Sequence, residues 1–387
     1  MNGKFKQFVF AESKPKDKCK ILFFAGNFFN MVATQNGKDY KKIDGNLAMV
    51  KDQIKPGDIV NHDKFVKYIG ESFKVVHNVI DHNGCEGFDG DNFPSYGFEH
   101  WACLRLMEYI SHSYPKYECI VESMSWAQYF PSFERIGNKE LVVSIQNGME
   151  NLKFDSKYND DPPLVIVDAG SSKTKIQLNK SHVKYNDAKL HLEDVYPQKI
   201  SALHKLGDEL GDDANTEAFK TNTATLVATV DAFIFQCNDI CRRFGGSKIL
   251  IATAGMRDFV NANGLNKYTA DFCEKFGPDS VYIIPGTVEA LFEHNACTKI
   301  IESKTTTKDP QVIMCSMGGQ STQMSDGNNV ASYDTMGAIS MQKTCKCSEK
   351  RAFNDVLAPS LKDEVLNTLL AFEKAGFTID FKYIPNI

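Results

Sequence analysis

The chain has 387 residues, 42% hydrophobic and 24% charged, with a net charge of −5; such a chain can bury a large core and is expected to divide into two or three lobes. Without a basic surplus to attract phosphate backbones, nucleic-acid binding is not expected. Eleven cysteines at irregular spacing read as reduced, buried thiols and not as a disulfide framework.

In chain order, a lysine-rich start over residues 1–20 runs into the apolar segment Ile21 to Ala33, interrupted by Gly26, Asn27 and Asn30. Its length suits a buried strand and turn, and it is too short for a secretion signal or a membrane span. No membrane span is expected, and the lack of a signal gives a cytoplasmic expectation. Asp89-Gly90-Asp91-Asn92 has the look of a calcium-loop fragment, but no glutamate follows at the twelfth position, so it reads as a solvated turn. Trp101 to Pro115 is helix-like, and Trp101 and Trp126 either stack on a base or fill a core. Residues 1–160 form an amino-terminal domain, either part of a second lobe or a module that binds a protein partner. The polar stretch Asp155 to Pro163 closes this region as a linker.

The middle is more legible. A strand from Leu164 to Asp168, a hairpin turn over Gly170 to Lys173, a strand from Thr174 to Leu178 and a third strand around His182 to Leu192 make a meander. Asn179-Lys180-Ser181 is a glycosylation sequon, a match that chance often supplies. An amphipathic helix near Asn222 to Phe244 carries Leu226, Val230, Phe233, Ile234, Cys237 and Cys241 at helical spacing and ends at Gly245 and Gly246. Strand Lys248 to Ala252, helices Met256 to Asn263 and Tyr268 to Phe276, strand Ser280 to Ile284, helix Thr287 to Glu302 and strand Gln311 to Cys315 follow. Three meandering strands and then alternating helices and strands describe a ribonuclease-H-like α/β lobe over residues 161–325, whose ligands lie beyond the strand ends. Residues 326–387 are expected to be a partial second lobe with an amphipathic helix from Leu361 to Lys374. Cys345-Lys346-Cys347 lacks the further Cys or His that a metal site needs.

Two turns carry the chemistry. Val165 to Lys175 is an apolar strand that ends in Asp168 and turns through Gly170, Ser171, Ser172, Lys173 and Thr174; Gln311 to Cys315 leads into Gly318, Gly319, Gln320, Ser321, Thr322 and Gln323. Backbone N–H groups freed by the glycines, with the hydroxyls, suit phosphate oxygens. Lys173 adds positive charge, and Asp168 can hold Mg²⁺ or Ca²⁺ while phosphates supply other ligands. Either turn alone is equally a plain hairpin; the pair favours two phosphate loops gripping one polyphosphate. Glu289 opens a helix just after a strand, where it can serve as a general base on water or simply complement the helix dipole. Thr253 can brace the loops, and Arg257 can pair with a phosphate or a carboxylate.

These segments resemble the apyrase family, the nucleoside triphosphate diphosphohydrolases of the actin and hexokinase superfamily. Four family regions are matched in order over residues 163–326: Asp168 to Thr174, Ala252 to Arg257, the neighbourhood of Gly286 to Phe292, and Gly318 to Gln323. The resemblance implies a two-lobed actin-like ATPase fold that hydrolyses the terminal phosphates of nucleoside di- and triphosphates with a divalent cation. It also implies that Glu289 activates the water, that Ser321 and Gln323 orient it, and that the loops cradle the phosphates. Secretion or a lumenal location is usual in the family. The fourth region normally begins with a second aspartate for the metal, and here Ser316 stands in its place. The alternatives are therefore a nucleotide-binding pseudoenzyme or interaction module, and a polyphosphate or guanosine polyphosphate phosphatase, which Pro285 to Leu291 also resembles. The phosphatases' last loop usually ends in glutamate, so Gln323 favours the apyrase side. Too little chain follows Asp326 for a full second lobe. That lobe is therefore incomplete, or permuted, with the front half supplying the missing part through segments such as Phe23 to Phe29.

Overall fold

Short apolar runs ending in glycine or small residues become the strands of two mixed sheets. The structure, a computed structural model, describes residues 20–26, 29, 110, 113–114, 116–122, 124–130, 142–144, 150–152, 162–192, 197–211, 213–304, 310–334, 336–337, 340, 367 and 369–378. In chain order the strands are β1 (Lys20–Ala25), β2 (Glu118–Glu122), β3 (Val142–Ser144), β4 (Glu150–Leu152), β5 (Val165–Ala169), β6 (Lys173–Leu178), β7 (Lys199–Ser201), β8 (Lys248–Ala252), β9 (Val281–Ile283), β10 (Gln311–Met317), β11 (Thr322–Ser325) and β12 (Val330–Tyr333). The α-helices are α1 (Tyr185–Leu192), α2 (Glu217–Phe244), α3 (Ala254–Asn263), α4 (Lys267–Phe276) and α5 (Gly286–Lys304). The chain is mixed α/β and divides into two units, Ser125–Ala296 and the pair of segments Met1–Met124 and Cys297–Ile387.

In the Ser125–Ala296 unit the sheet order is β4-β3-β9-β8-β5-β6-β7. β5, β6 and β7 form an antiparallel meander, while β8 and β9 join β5 in parallel. The third strand of that meander is not at 182–192. There the chain forms α1, because turns built on Asn179 and His182 precede it: the Ser181 N–H donates to Asn179 Oδ1 and the Lys184 N–H to His182 Nδ1, both at 3.0 Å. Leu190-His191-Leu192 has a strand's alternation in the sequence, while Tyr185 and Ala188 of α1, one helical turn apart, pack on the core. The actual third strand, β7, has three residues of which only Ile200 is buried, too short to show a period. Asn179 of the sequon is fully buried and its Nδ2 donates to the Pro163 carbonyl at 3.1 Å, which leaves no face for a glycan.

The core of this unit is held by α2. The helix begins five residues before the expected start because Thr216 caps it, its Oγ1 accepting from the Phe219 N–H at 3.1 Å. It ends where Gly245 takes a left-handed conformation with φ of 70° and donates its N–H to the Cys241 carbonyl. Val230, Phe233, Ile234, Cys237 and Ile240 are the buried stripe, and Phe233 meets Phe272 of α4 with ring centroids 6.1 Å apart. Each such buried aromatic or aliphatic side chain stabilises the fold by about 1.5–3 kcal/mol. By length and composition alone α2 is also apolar enough to cross a membrane; its apolar stripe is the one that fills this core. Trp126 is buried too and stacks on Phe292 at 5.5 Å, which gives it a core role.

In the other unit the order is β12-β11-β10-β1-β2. Here β10, β11 and β12 are the antiparallel meander, and β1 and β2 join β10 in parallel. The strand expected at 311–315 is therefore present, but its sheet partners are β11 and the front strand β1. Ile21 to Ala25 are all fully buried, as a central parallel strand covered on both faces requires. Gly26, with φ of 110°, ends β1 where a Cβ would stand 2.9 Å from the Met317 carbonyl oxygen, so only glycine fits. Residues 367 and 369–374 are helical, within the expected helix at 361–374. Among the described residues Cys237, Cys241, Cys273, Cys297 and Cys315 are free thiols, and burial pushes Cys241 up to about 11 and Cys273 up to about 12. Asp89 to Asn92, Trp101, most of the 155–163 linker, Cys345 and Cys347 lie outside the described residues.

Candidate functional site

β5, β8 and β9 run side by side and parallel, so their carboxyl ends share one edge of the sheet. Three chain segments leave that edge: the hairpin 170–172, the β8–α3 turn at Thr253, and the β9–α5 turn that leads to Glu289. Most residues singled out in this part of the sequence thus converge on the edge where ligands of such sheets bind.

The hairpin closes when the Gly170 N–H donates to the Lys173 carbonyl at 3.1 Å. Gly170 and Ser171 are half-buried, and Ser172 and Lys173 are exposed, an open turn with two hydroxyls and a cation. Strand alternation separates two roles in this stretch. Val165, Val167 and Ala169 are in the core, whereas Asp168 is on the opposite face, half-buried. Desolvation pushes its carboxyl up to about 6, with the Lys175 charge opposing that shift. The same alternation takes Thr174 out of the exposed turn. It is fully buried between its strand partners Ala169 and Ile200, and its Oγ1 has no hydrogen-bond partner among the described residues.

Thr253 braces the hairpin through its backbone, its N–H donating to the Ala169 carbonyl at 3.2 Å and its own carbonyl accepting from Arg257 at 3.0 Å. Arg257 Nη1 donates to the Ile284 carbonyl at 2.6 Å and lies 3.7 Å from Glu289 Oε2. The two side chains are 11% and 10% exposed, and a carboxylate so deeply placed is sustained by its opposite charge. Arg257 therefore pairs with Glu289, the carboxylate alternative of the sequence reading. His204 joins the site with no sign in the sequence. A Cβ on Gly255 would stand 2.7 Å from His204 Cε1 and 2.9 Å from Ser171 Cα, so the imidazole and the hairpin crowd the same glycine. The contact joins residues far apart in the chain, and no local pattern announces it.

The 318–321 turn belongs to the other unit. It closes in the same way, the Gly318 N–H donating to the Ser321 carbonyl at 2.9 Å. Ser321 and Gln323 are brought together: Gln323 Nε2 donates to Ser321 Oγ at 2.6 Å, and both side chains are almost wholly buried. Thr322 Oγ1 donates to the Met336 carbonyl at 2.7 Å, so its proton is spent internally. Ser316 lies in β10, nearly buried, opposite Ala25 and Gln323.

Among the described residues no group of three or more His, Cys, Asp or Glu side chains is arranged to hold a metal. One carboxylate, Asp168, beside an open phosphate-type turn suits Mg²⁺ arriving with a phosphate, which commonly uses one or two carboxylates. It does not suit a cage of six to eight protein oxygens for Ca²⁺.

No family model matches the chain, and no curated protein matches it. Among solved structures, the crystal structure of an exopolyphosphatase-like protein is similar at a TM-score of 0.30 and 16% identity, over 56% of this chain and 62% of that one. The chain thus spans less than two thirds of that protein's length. A likeness this distant carries no weight for fold or activity.

Proposed function

We propose that this chain is a Mg²⁺-dependent phosphohydrolase of apyrase type, cleaving the terminal phosphate of nucleoside tri- and diphosphates, with two ribonuclease-H-like lobes of an actin-like fold. One observation carries the reading. The five-stranded sheet and five of the seven strands of the other share one order, an antiparallel meander of three followed by two parallel strands, and in both the first meander connection is a glycine-hydroxyl hairpin. In the unit that holds β1, the two parallel strands precede the meander in the chain, so that lobe is a permuted version of the other.

In this reading Gly170, Ser171, Ser172 and Lys173 bind phosphate oxygens through N–H, hydroxyl and ammonium groups. Asp168 would hold Mg²⁺, which supplies positive charge against the phosphates. Glu289 accepts a proton from the attacking water as its oxygen bonds to the terminal phosphorus. The bridging P–O bond then breaks, and the shorter phosphate leaves with the electron pair. No covalent enzyme intermediate is needed, since such transfer depends on positioning and charge. Gly318, Gly319 and Gln320 offer a second phosphate cradle. Ser321 and Gln323 form a coupled hydroxyl–amide pair suited to orienting water. Thr253 acts as a brace, and Thr174 and Thr322 contribute through the fold.

Ser316 favours a second reading. It stands at the strand position that matches Asp168, so a single carboxylate is left and the chain binds nucleotides without turning them over. Phosphate release from ATP, ADP and tripolyphosphate, each with Mg²⁺, Ca²⁺ or chelator, separates these readings. Release from ATP and ADP with Mg²⁺, lowered about 10²–10⁴-fold in Glu289→Gln, supports the proposal. Preference for tripolyphosphate moves the substrate to polyphosphate, and calorimetric binding of ATP without release supports the second reading. Neither binding nor release would refute both.

A further inference from the structure

After β7 the chain makes two short helical turns, Leu203–Lys205 and Asp208–Leu210, joined at Gly207, and then enters α2. Between these turns and the first half of α2 lies a cavity of about 340 Å³, within the size range of small-molecule sites. None of the residues assigned to the phosphates lines it. Its floor is aliphatic: Ile200, Leu206, Leu210 and Val230 are buried and Leu226 is half-buried. The wall formed by the two turns is tied to α4 and its cap residue. Thr269 Oγ1 donates to the Leu203 carbonyl at 2.7 Å, and Asn266 Nδ2 donates to the Leu206 carbonyl at 3.4 Å. Gly207, with φ of 98°, comes so near that a Cβ there would stand 2.5 Å from a Tyr268 ring carbon. A wall held at three points is not free to collapse onto α2 and fill the space.

The mouth carries both signs of charge. Lys205 and Glu209, one from each turn, line the cavity and are exposed, and neither side chain has an ion-pair or hydrogen-bond partner among the described residues. On the α2 side, Thr225 Oγ1 donates to the Thr221 carbonyl at 2.9 Å and Thr229 Oγ1 to the Thr225 carbonyl at 2.8 Å. Their protons are spent, so these two lining hydroxyls offer only lone pairs. A ligand that satisfies the lining needs an anionic end for Lys205, a cationic N–H donor for Glu209 and the threonines, and an aliphatic body for the floor. A simple carboxylic acid sets a like charge near Glu209, and a simple amine does so near Lys205; a zwitterion matches both. No aromatic side chain is among the described residues that line the cavity, so a planar base has nothing to stack on.

We propose that this cavity binds a free α-amino acid with an aliphatic side chain, its carboxylate on Lys205, its ammonium on Glu209 and its side chain on the floor of Leu206, Leu210 and Leu226. The site is independent of the phosphate reading and stands whether or not the chain hydrolyses nucleotides.

Calorimetric titration of L-leucine into the full chain tests it, with isocaproate and isoamylamine, which lack the ammonium and the carboxylate, as parallel probes. Leucine is expected to bind saturably, and each parallel probe about threefold to fivefold more weakly, the effect of losing one exposed charge pair. Lys205→Met is expected to weaken leucine by about the same factor without weakening isoamylamine, and Glu209→Gln to weaken leucine without weakening isocaproate. Both residues are exposed, so these variants keep the fold. Leu226→Trp, which fills the floor, is expected to abolish binding; if that variant does not fold, the Lys205 and Glu209 variants decide alone. No saturable heat with leucine overturns the inference, and so does isocaproate or isoamylamine binding as tightly as leucine. Leucine affinity unmoved by both charge variants overturns it as well. A concentration-dependent dimer that Leu226→Trp makes monomeric, with no leucine binding, would give the cavity to a second copy of the chain and overturn it too.

Discussion

At the end of β5 the chain places Asp168 two residues before Gly170, and at the end of β10 it places Ser316 two residues before Gly318. Each glycine closes its hairpin by donating to the carbonyl three residues on, at 3.1 and 2.9 Å. The first residue after each turn's buried edge is a threonine, Thr174 or Thr322, facing the core. One hydroxyl is bonded to Met336 and the other to nothing among the described residues. The two units also differ in the chain that comes after the third meander strand. In one the His204 ring lies against the glycine that crowds Ser171, and in the other Gly337 and Ser340 hold the turn by backbone and hydroxyl bonds. The same strand order thus supplies the same hairpin, but the charge at the strand end is set residue by residue. Of the two strand ends, the one before the first hairpin has a carboxylate, Asp168, and the other a hydroxyl, Ser316.

The largest break in that comparison is Asp168→Asn. Mg²⁺-dependent phosphate release should fall by about 10²-fold or more if the proposed function holds, since the carboxylate that would hold the cation loses its charge and one oxygen. Stability should move the other way. Burial raises the Asp168 carboxyl from 3.8 to about 6, so folding favours its neutral form and the ionised form becomes a cost as pH rises through about 6. The neutral asparagine avoids that cost. Thermal melts should show the variant's advantage absent below pH 4, growing between pH 4 and 6 and constant above, at about 1–3 kcal/mol. An advantage that shrinks with rising pH would contradict the burial account.

Ser316→Asp sharpens the comparison by making the two strand ends alike. Added to the wild-type chain, the second carboxylate should tighten Mg²⁺ at the β10 strand end by about tenfold, read by metal titration of the Gly318 and Gly319 amides. The smallest effect is expected from Thr174→Val, which removes a buried hydroxyl with no partner and replaces it with a methyl of the same shape. The melt should rise by the equivalent of about 1 kcal/mol. A raised KM for ATP would instead return that hydroxyl to the phosphate site.

Locality decides how much of this is legible in the sequence. The hairpin at 170–173 and the helix ending at Gly245 are legible because glycine, hydroxyl and apolar spacing act over a few residues. β7 is not, since three residues with one buried side chain carry no period. The pairing of β1 with β10 joins positions 20–25 to 311–316, and no local pattern encodes such a pairing; permutation is hinted at by the short stretch after Asp326 and by the aromatic segments Phe23 to Phe29 and Trp101 to Pro115. His204, Gly337 and Ser340 are invisible for the same reason. Their roles consist of contacts with chain far away, and as isolated letters they look like any turn residue.

The central claim is that the β5 hairpin, and not its β10 counterpart, holds the cation that accompanies the phosphates. Paramagnetic broadening tests it most directly, with Mn²⁺ in place of Mg²⁺ and a non-hydrolysable triphosphate added to the ¹⁵N-labelled chain. The account predicts that the amides of Ala169 to Lys173 broaden first and that Asp168→Asn abolishes the effect. Broadening that ignores Asp168→Asn, or that centres on Ser316 to Ser321 alone, would contradict it.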